Sequence, residues 1–254
     1  MEITFLGVGE AFDEEMPNTS MLIRTDIAEE PVTVLLDCGY SVPPRFWLQA
    51  LQPDTLDCIW ISHFHADHAF GIPALLVRFW EEKRKKDLCF LGQKGIEPFV
   101  LRCLDLAYPN FYPRLGFSLR FEEVEPEKPL MAFGLSWSTA INDHPQRDLA
   151  LRMEAQGKSL FYSGDGRPTS ETRTLAKGVD LIVHEAFYLS KAIPGHGTIA
   201  GCLEMARTCR ALRLALVHIQ RRVRRERFDE IQELASSVQE FEVLIPGPGD
   251  RVTI

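Results

Sequence analysis

Features that the sequence lacks set the first limits on the protein. No uninterrupted apolar run in the 254 residues reaches the roughly 20 residues that a membrane-spanning helix needs. The six cysteines form no Cys-x-x-Cys pair, and several lie in apolar surroundings, which is typical of reduced core thiols. There is no linker, low-complexity stretch or sequence repeat. We therefore expect a cytoplasmic protein of one domain with no membrane partner.

An excess of basic charge is absent as well. The chain has 28 Lys and Arg against 36 Asp and Glu, a formal net charge of -8. This balance disfavours a protein whose whole surface is wrapped by nucleic acid. Two local basic runs remain, at residues 83–86 and 221–227. We interpret the first as a solvated helix face, and the second fits a solvated helix start or a phosphate-binding surface equally well.

A dense cluster of metal-binding side chains stands out among the residues that are present. His63, His65, Asp67 and His68 fall within six positions, directly after a β-prone run at 56–62. Imidazole nitrogens and carboxylate oxygens suit zinc and similar ions, and so many ligands favour two ions over one. On an extended segment His63, His65 and Asp67 would share one face, and His68 would need a turn to join them. A solvated histidine-rich loop is the weaker alternative, because the residues on either side of the cluster are not of low complexity.

Three further candidate ligands each follow a β-prone run. They are His144, Asp165 in Ser-Gly-Asp, and His218. A site for two ions needs three or four protein ligands per ion and usually one shared carboxylate, and these residues complete that number. Each alone has a plain structural interpretation, as a turn histidine, a capping aspartate or a core histidine. Together with the first cluster they predict one dinuclear site.

The order of predicted elements favours an α/β fold. Strand patterns open the chain at 3–6, 21–24, 32–36 and 56–61, and helical patterns follow at 73–86 and 97–106. The second half repeats this alternation and closes with a strand at 241–244. Such a series predicts sheets inside and helices outside. We predict a single domain, residues 1–254, made of two similar halves of about 1–134 and 135–254.

The order of these motifs resembles the metallo-β-lactamase superfamily over essentially the whole chain. The opening segment at 3–9, Asn18-Thr19-Ser20 and Leu36-Asp37-Cys38-Gly39 resemble in particular the ribonuclease Z branch and its phosphodiesterase relatives. The resemblance implies an αββα sandwich, in which two central mixed β-sheets are flanked by helices. It also implies a metal-dependent hydrolase.

Carried over position by position, the resemblance implies two groups of ligands. The first ion would be bound by His63, His65 and His144. The second would be bound by Asp67, His68 and His218, and Asp165 would bridge both ions together with a water or hydroxide. We expect two divalent cations, with Zn²⁺ preferred and Mn²⁺ or Fe²⁺ as alternatives.

Two more segments resemble the same branch and imply catalytic roles. In Gly195-His196-Gly197-Thr198, His196 would protonate the leaving oxygen. In residues 181–187, Glu185 would orient His196. Asp67 would accept or steer the proton of the hydroxide that attacks the phosphodiester. His184 has no implied ligand role, and we interpret it as structural.

The short span between two of the ligands limits the expected substrate. Family members that process precursor tRNA carry a long arm between the lone histidine and the bridging aspartate, but only about twenty residues separate His144 from Asp165, enough for a β-hairpin. We therefore expect a phosphodiesterase that lacks the tRNA-gripping arm and acts on a small molecule or an RNA 3′ end. A hydrolase of thioesters, other carboxylic esters or lactams is one alternative, and a non-catalytic metal-binding protein is another. A homodimer is compatible with the sequence.

Overall fold

The computed structural model describes residues 1–254 and contains two seven-stranded β-sheets that pack face to face. The strands, in chain order, are β1 (Glu2–Gly7), β2 (Ser20–Ile27), β3 (Glu30–Leu36), β4 (Cys58–Ile61), β5 (Leu88–Gly92), β6 (Leu119–Glu123), β7 (Leu130–Ala132), β8 (Leu135–Ile141), β9 (Leu149–Ala155), β10 (Lys158–Tyr162), β11 (Leu181–Glu185), β12 (Arg213–Val217), β13 (Glu242–Leu244) and β14 (Arg251–Thr253).

Eight α-helices connect these strands. They are α1 (Val42–Trp47), α2 (Ala66–Ala69), α3 (Ile72–Glu81), α4 (Ile96–Ala107), α5 (Ser170–Leu175), α6 (Ile199–Cys209), α7 (Arg221–Glu226) and α8 (Phe228–Ser236). A 3₁₀ turn lies at Tyr112–Arg114. None of the helices combines the length and the apolar content needed to cross a bilayer.

Each sheet is mixed, with an antiparallel part and a parallel part. The first sheet has the order β14-β1-β2-β3-β4-β5-β6 and becomes parallel from β3 onward. The second has the order β13-β12-β11-β10-β9-β8-β7 and is parallel from β10 to β13. Strands β1 to β6 form the first sheet and β7 to β13 form the second, but the last strand, β14, returns to the first sheet. The division into two similar halves near residue 134 stays a prediction.

Three apolar layers hold the sheets and helices together. One lies between the two sheets and includes Trp60 and Trp137. The others lie between each sheet and its helices: α1, α3 and α4 cover the first sheet, and α6 and α8 cover the second. β4 is buried along its whole length because it is covered on both faces. The αββα sandwich that the family resemblance implies is therefore confirmed.

Helix α3 shows how the sequence pattern produces one of these layers. Pro73 stands in its first turn, where a missing N–H costs nothing. Ile72, Leu75, Leu76 and Phe79 recur at the spacing of one helical face, and all four are fully buried. The helix packs on the first sheet by this face.

The basic run at 83–86 corrects one prediction. The helix ends at Glu81 rather than at Lys86, because Lys83 takes a left-handed backbone conformation with φ 63°. Arg84 then turns inward, where it is almost fully buried, and its Nη2 donates to the carbonyl oxygens of Leu56 and Asp87, both at 2.7 Å. The interpretation of this run as a solvated helix face is therefore wrong for Arg84, which ties its own loop, between α3 and β5, to the loop before β4.

All six cysteines are free thiols, as predicted, and five of them are buried. Cys58 and Cys89 lie opposite one another on β4 and β5. Burial raises the pKa of the Cys89 thiol to about 12, so it stays protonated and packs as a small apolar side chain.

The stacked pair Trp60 and Trp137 provides a test of the layer between the sheets. Their ring centroids lie 6.3 Å apart, and both side chains are fully buried. Replacing Trp137 by Ala leaves a cavity between the sheets and should lower the free energy of unfolding by about 3–5 kcal/mol. Urea denaturation measures this, with Leu48→Ala as the control, because that side chain is 70% exposed. Equal effects of the two changes would contradict the importance of this layer.

Candidate metal centre

The predicted ligands lie beyond the carboxyl ends of strands, along one edge of the sandwich. His63, His144, Asp165 and His218 follow β4, β8, β10 and β12, respectively. The remaining three, His65, Asp67 and His68, continue from His63 into the short helix α2. Because β4 belongs to the first sheet and the other three strands to the second, the site forms only where the two sheets meet.

The chain turns earlier in the histidine cluster than the extended pattern predicts. His65 still has an extended backbone, with φ −67° and ψ 154°, but it is the N-cap of α2. Asp67 and His68 already lie in that helix, so the expectation that Asp67 shares an extended face with His63 and His65 is wrong. The helical turn instead brings Asp67 Oδ2 within 3.4 Å of His68 Nε2.

The first group of donor atoms contains His63, His65, His144 and Asp165. His65 Nδ1 lies 3.0 Å from His63 Nε2 and 3.2 Å from His144 Nε2. His144 is held from its other side, where Nδ1 lies 3.0 Å from the carbonyl oxygen of Gly195. Three imidazole nitrogens from two sheets thus converge on one point.

The second group contains Asp67, His68 and His218. Asp67 Oδ2 lies 3.4 Å from His68 Nε2 and 3.4 Å from His218 Nε2. Both histidines are buried, and Asp67 is nearly so. His218 takes a positive φ of 55°, unusual for a residue other than glycine, as it leaves β12.

Asp165 stands between the two groups. Its Oδ2 lies 3.8 Å from His144 Nε2 in the first group, and its Oδ1 lies 3.8 Å from His218 Nδ1 in the second. The side chain is 4% exposed, so this carboxylate faces protein groups on all sides. The structure thus brings all seven predicted ligands together, in donor groups that overlap. A third group joins Asp165 and His218 with Glu185 and His196.

The donor atoms fit divalent ions. Nitrogens bound to Zn²⁺ at about 2.0–2.1 Å in a tetrahedral shell lie about 3.3 Å apart, close to the separations of 3.0 and 3.2 Å around His65. His68 Nε2 and His218 Nδ1 are buried and have no hydrogen-bond partner. Because a buried polar atom without a partner is costly, a bound cation would satisfy both. The roles of the individual residues as ligands stay a prediction.

A buried carboxylate outside the predicted set supports the second group. Asp37 Oδ2 lies 2.7 Å from His68 Nδ1, so this nitrogen donates its proton to Asp37 and leaves Nε2 for the site. Sequence reasoning named Asp37 only as part of a family motif and gave it no role. Histidine ligands usually donate their second ring proton to a carboxylate or carbonyl group, so a partner of this kind could be expected, but the sequence did not show which residue it is.

The proposed proton donor, His196, lies beside Asp165 as well as beside Glu185. His196 Nδ1 is 3.2 Å from Asp165 Oδ1 and 3.8 Å from Glu185 Oε2. Glu185 Oε1 accepts a hydrogen bond from the backbone N–H of Gly197, which fixes the loop that carries His196. The His196 ring stacks on Phe187, with centroids 4.4 Å apart. Sequence reasoning did not predict this stacking.

Burial and the neighbouring carboxylates shift the pKa values of the site's histidines in both directions. Burial, followed by the nearby charge of His68, holds the pKa of His63 well below its usual range. Burial also lowers the pKa of His196, but hydrogen bonds to Asp165 and Glu185 outweigh it and raise the pKa to about 10. Burial lowers the pKa of His68 and of His218 too, but the charges of Asp67 and Asp165, respectively, outweigh it and raise both pKa values. A ligand nitrogen has to be free of its proton, so binding of a cation at His68 and His218 would release protons.

His184 does not join either ligand group. It is fully buried on β11 and stacks on Phe161, with ring centroids 6.2 Å apart. Its Nδ1 lies 2.8 Å from the carbonyl oxygen of Glu185. These contacts are those of a core histidine.

A cleft of about 400 Å³ opens onto the site. His65, His144 and His196 line its floor, and Phe12, Tyr40 and Phe187 contribute aromatic rings. Phe12 is 76% exposed and Tyr40 is 50% exposed. From the basic run at 221–227, Arg221 lines the cleft, and its Nη1 lies 2.6 Å from Glu10 Oε1.

The segment between His144 and Asp165 forms a β-hairpin. It consists of β9 and β10, which pair antiparallel from Ala155 and Lys158 back to Leu151 and Tyr162. The turn occupies Gln156 and Gly157, both with positive φ. No residue between these two ligands extends into a separate arm.

Comparison with known proteins gives one family match and a set of distant relatives. The model of the family described as anti-Pycsar protein Apyc1 matches residues 1–241. Ribonuclease Z of Shouchella clausii is 24% identical over 93% of this chain and 92% of its own length. Ribonuclease BN of Cronobacter sakazakii is 27% identical over 94% of each chain.

Solved structures share the fold over nearly the full length. YhfI from Bacillus subtilis, described as a metallo-β-lactamase fold protein, has a TM-score of 0.82 with 21% identity and covers 99% of each chain. The short form of human tRNase Z has a TM-score of 0.78 with 22% identity, over 100% of this chain and 99% of its own. A diphosphatase of the PhnP family has a TM-score of 0.77 with 16% identity, over 100% and 97%.

The family match covers β1 to β12 and every predicted ligand, and the solved structures carry the same fold. The chain therefore belongs to the family of the anti-Pycsar protein Apyc1, in the ribonuclease Z-like branch of the metallo-β-lactamase superfamily, and is a metal-dependent hydrolase.

Proposed function

We propose that the protein is a phosphodiesterase that uses two metal ions. The observation that carries this proposal is the position of Asp165, whose two oxygens lie 3.8 Å from His144 Nε2 and 3.8 Å from His218 Nδ1. A carboxylate shared between two groups of ligands would hold two ions together, and paired ions are typical of enzymes that cleave phosphate esters. Relatives named ribonuclease Z support a phosphodiester as the bond that is cleaved.

Each ion would have its own set of side chains. His63, His65 and His144 would bind the first, Asp67, His68 and His218 would bind the second, and Asp165 would bind both. The nitrogen-rich sets favour Zn²⁺, with Mn²⁺ and Fe²⁺ as alternatives. When bound, two such ions lower the pKa of a shared water molecule and offset the negative charge of a phosphodiester.

The remaining polar groups would handle protons. Asp67, next to His68 and His218, would accept or steer the proton released from the attacking water. His196 lines the cleft and has its Nδ1 against Asp165, so a proton on its Nε2 would be available for the departing oxygen. Glu185 would act through His196, because it fixes the neighbouring backbone at Gly197.

The shape of the site favours a small substrate. The cleft of about 400 Å³ admits a small molecule or the end of a single strand. The hairpin of β9 and β10 offers no long arm to grip a folded RNA. Arg221 could contact a phosphate group, but Glu10 already neutralises its charge. We therefore propose a small phosphodiester or an RNA 3′ end as the substrate.

Metal removal and a panel of substrates test the reaction class. Dialysis against a chelator should abolish hydrolysis of bis(p-nitrophenyl) phosphate, because no side chain in the cleft replaces the ions as an activator of water. Adding back Zn²⁺, Mn²⁺ or Fe²⁺ should restore it, which release of nitrophenolate measures. A thioester, a β-lactam and a precursor tRNA are compared at the same enzyme concentration. Hydrolysis of the thioester without hydrolysis of the phosphodiester would contradict the proposal.

Asp165→Asn tests the shared ligand. The change keeps the size of the side chain but removes its charge, so the chain should bind fewer than two ions when metal content is measured by mass spectrometry after dialysis. Asp180→Asn is the matched control, because Asp180 accepts hydrogen bonds from Ser159 and touches no predicted ligand. Full occupancy by two ions in the Asp165 variant would rule out the bridge.

His196→Ala tests the proton donor. Turnover should fall by about 100- to 10,000-fold while both ions stay bound. In the wild-type chain, activity should decline as the pH rises through the pKa of His196, because the donor is protonated only below it, and the variant should lack this decline. Metal analysis and the pH dependence of kcat measure both effects. Loss of an ion would make His196 a ligand instead.

A further inference from the structure

Asp148 is a buried carboxylate for which the proposed reaction has no use. It precedes β9 and is fully buried, although nothing in the sequence marks it as part of a site. Its Oδ1 lies 3.1 Å from Nδ1 of His63, the ring nitrogen on the side away from the ligand group. An ionisable group is rarely buried completely unless it is paired, so this contact needs a reason.

Asn142 holds the other oxygen of this carboxylate. Its Nδ2 donates to Asp148 Oδ2 at 2.9 Å and to the carbonyl oxygen of Asp165 at 3.1 Å. The backbone is fixed as well, because Asn142 N–H donates to the Asp148 carbonyl oxygen at 3.1 Å and Leu149 N–H donates to that of Ser62 at 3.1 Å. Asp148 is thus anchored to the segments that carry His63, His144 and Asp165.

Its Oδ1 remains without a hydrogen bond of good geometry. Gly164 leaves room for this oxygen, since a Cβ at that position would collide with the Asp148 carboxylate, and its φ of 65° is one that glycine adopts without strain. A buried acceptor that is held in place, unpaired and 3.1 Å from an imidazole nitrogen can receive the proton of that nitrogen once the two groups align.

Ser62 is the competing acceptor. Its Oγ lies 3.0 Å from His63 Nδ1, but the same hydroxyl donates to Asp37 Oδ2 at 2.8 Å. Burial raises the pKa of Asp148 to about 8, although the hydrogen bond from Asn142 lowers it. The ionised form of this carboxyl is the stronger acceptor, since hydrogen bonds to an ionised group are roughly twice as strong as those between neutral groups. The arrangement parallels that of His68, whose Nδ1 lies 2.7 Å from Asp37.

We infer that Asp148 is a positioning residue for the first metal ion. Its Oδ1 accepts the Nδ1 proton of His63, which fixes the ring orientation and leaves Nε2 free to bind the ion. Asp37 does the same for His68 at the second ion, so each ion has one buried carboxylate behind one of its histidines. This inference rests on the proposed pair of ions and adds to it a residue outside both ligand sets.

Asp148→Asn tests the inference through metal affinity, without any measurement of activity. The two dissociation constants for Zn²⁺ are measured by competition with a chromophoric chelator. Loss of a residue that orients a ligand typically costs 10- to 100-fold in metal affinity, so we expect the affinity of one ion to fall by about that factor while the other is unchanged. Asp37→Asn should weaken the opposite ion, and Asp180→Asn should change neither.

The affinities separate the outcomes. Wild-type values for both ions in Asp148→Asn would overturn the inference and leave Ser62 as the acceptor. Equal weakening of both ions, with the melting temperature of the metal-free chain retained, would also overturn it. A wild-type chain that binds fewer than two ions would instead contradict the proposed function on which the inference rests.

A second measurement on the wild-type chain does not depend on the folding of a variant. In the Zn²⁺-loaded protein with ¹⁵N-labelled histidine, NMR identifies which nitrogen of each ring carries the proton. We expect the proton of His63 on Nδ1. A proton on Nε2 would overturn the inference.

Discussion

One buried carboxylate joins the two sheets at the edge where the site forms. Asp37 follows β3 in the first sheet, and its Oδ2 accepts hydrogen bonds from His68 Nδ1 at 2.7 Å and from the hydroxyl of Tyr162, on β10 of the second sheet, at 2.6 Å. The backbone N–H of Ser62 donates to Asp37 Oδ1 and the hydroxyl of Ser62 donates to Asp37 Oδ2, both at 2.8 Å. Because the desolvation of a carboxylate costs several kcal/mol, these four donors have to be present together. The same set of hydrogen bonds therefore docks the two sheets and orients His68.

The same edge carries backbone strain. Asp37 and His218 leave their strands with φ values of 57° and 55°, a conformation that costs about 1–3 kcal/mol for a residue other than glycine. The strain persists because the surrounding contacts hold the turn in place: His218 N–H donates to the carbonyl oxygen of Val8, just after β1, at 2.8 Å. The three apolar layers supply the stability that tolerates this cost, and the strained turns direct His218 and Asp37 into the site.

Much of the fold could be read from local patterns, and the exceptions have a common cause. The β-prone runs in β3 and β4 are properties of neighbouring residues, so these strands were predicted. By contrast, β14 has only three residues and exists because it pairs with β1 at the other end of the chain. Arg84 looked like one charge in a solvated run, but carbonyl oxygens at Leu56 and Asp87 draw it inside. Contacts between distant segments leave no periodic signal.

The sequence by itself determined which side chains are available for metal binding and in what order they occur, because donor chemistry belongs to the residue type. His63 to His68, His144, Asp165 and His218 could be named from it, as could His196 and Glu185. Only the tertiary structure decided that Asp67 enters a helix, that Asp165 presents one oxygen to each group, and that Asp37 and Asp148 stand behind His68 and His63. The reason is that an imidazole has two nitrogens and a carboxylate two oxygens, and which of them faces a metal depends on partners that lie far away in the chain.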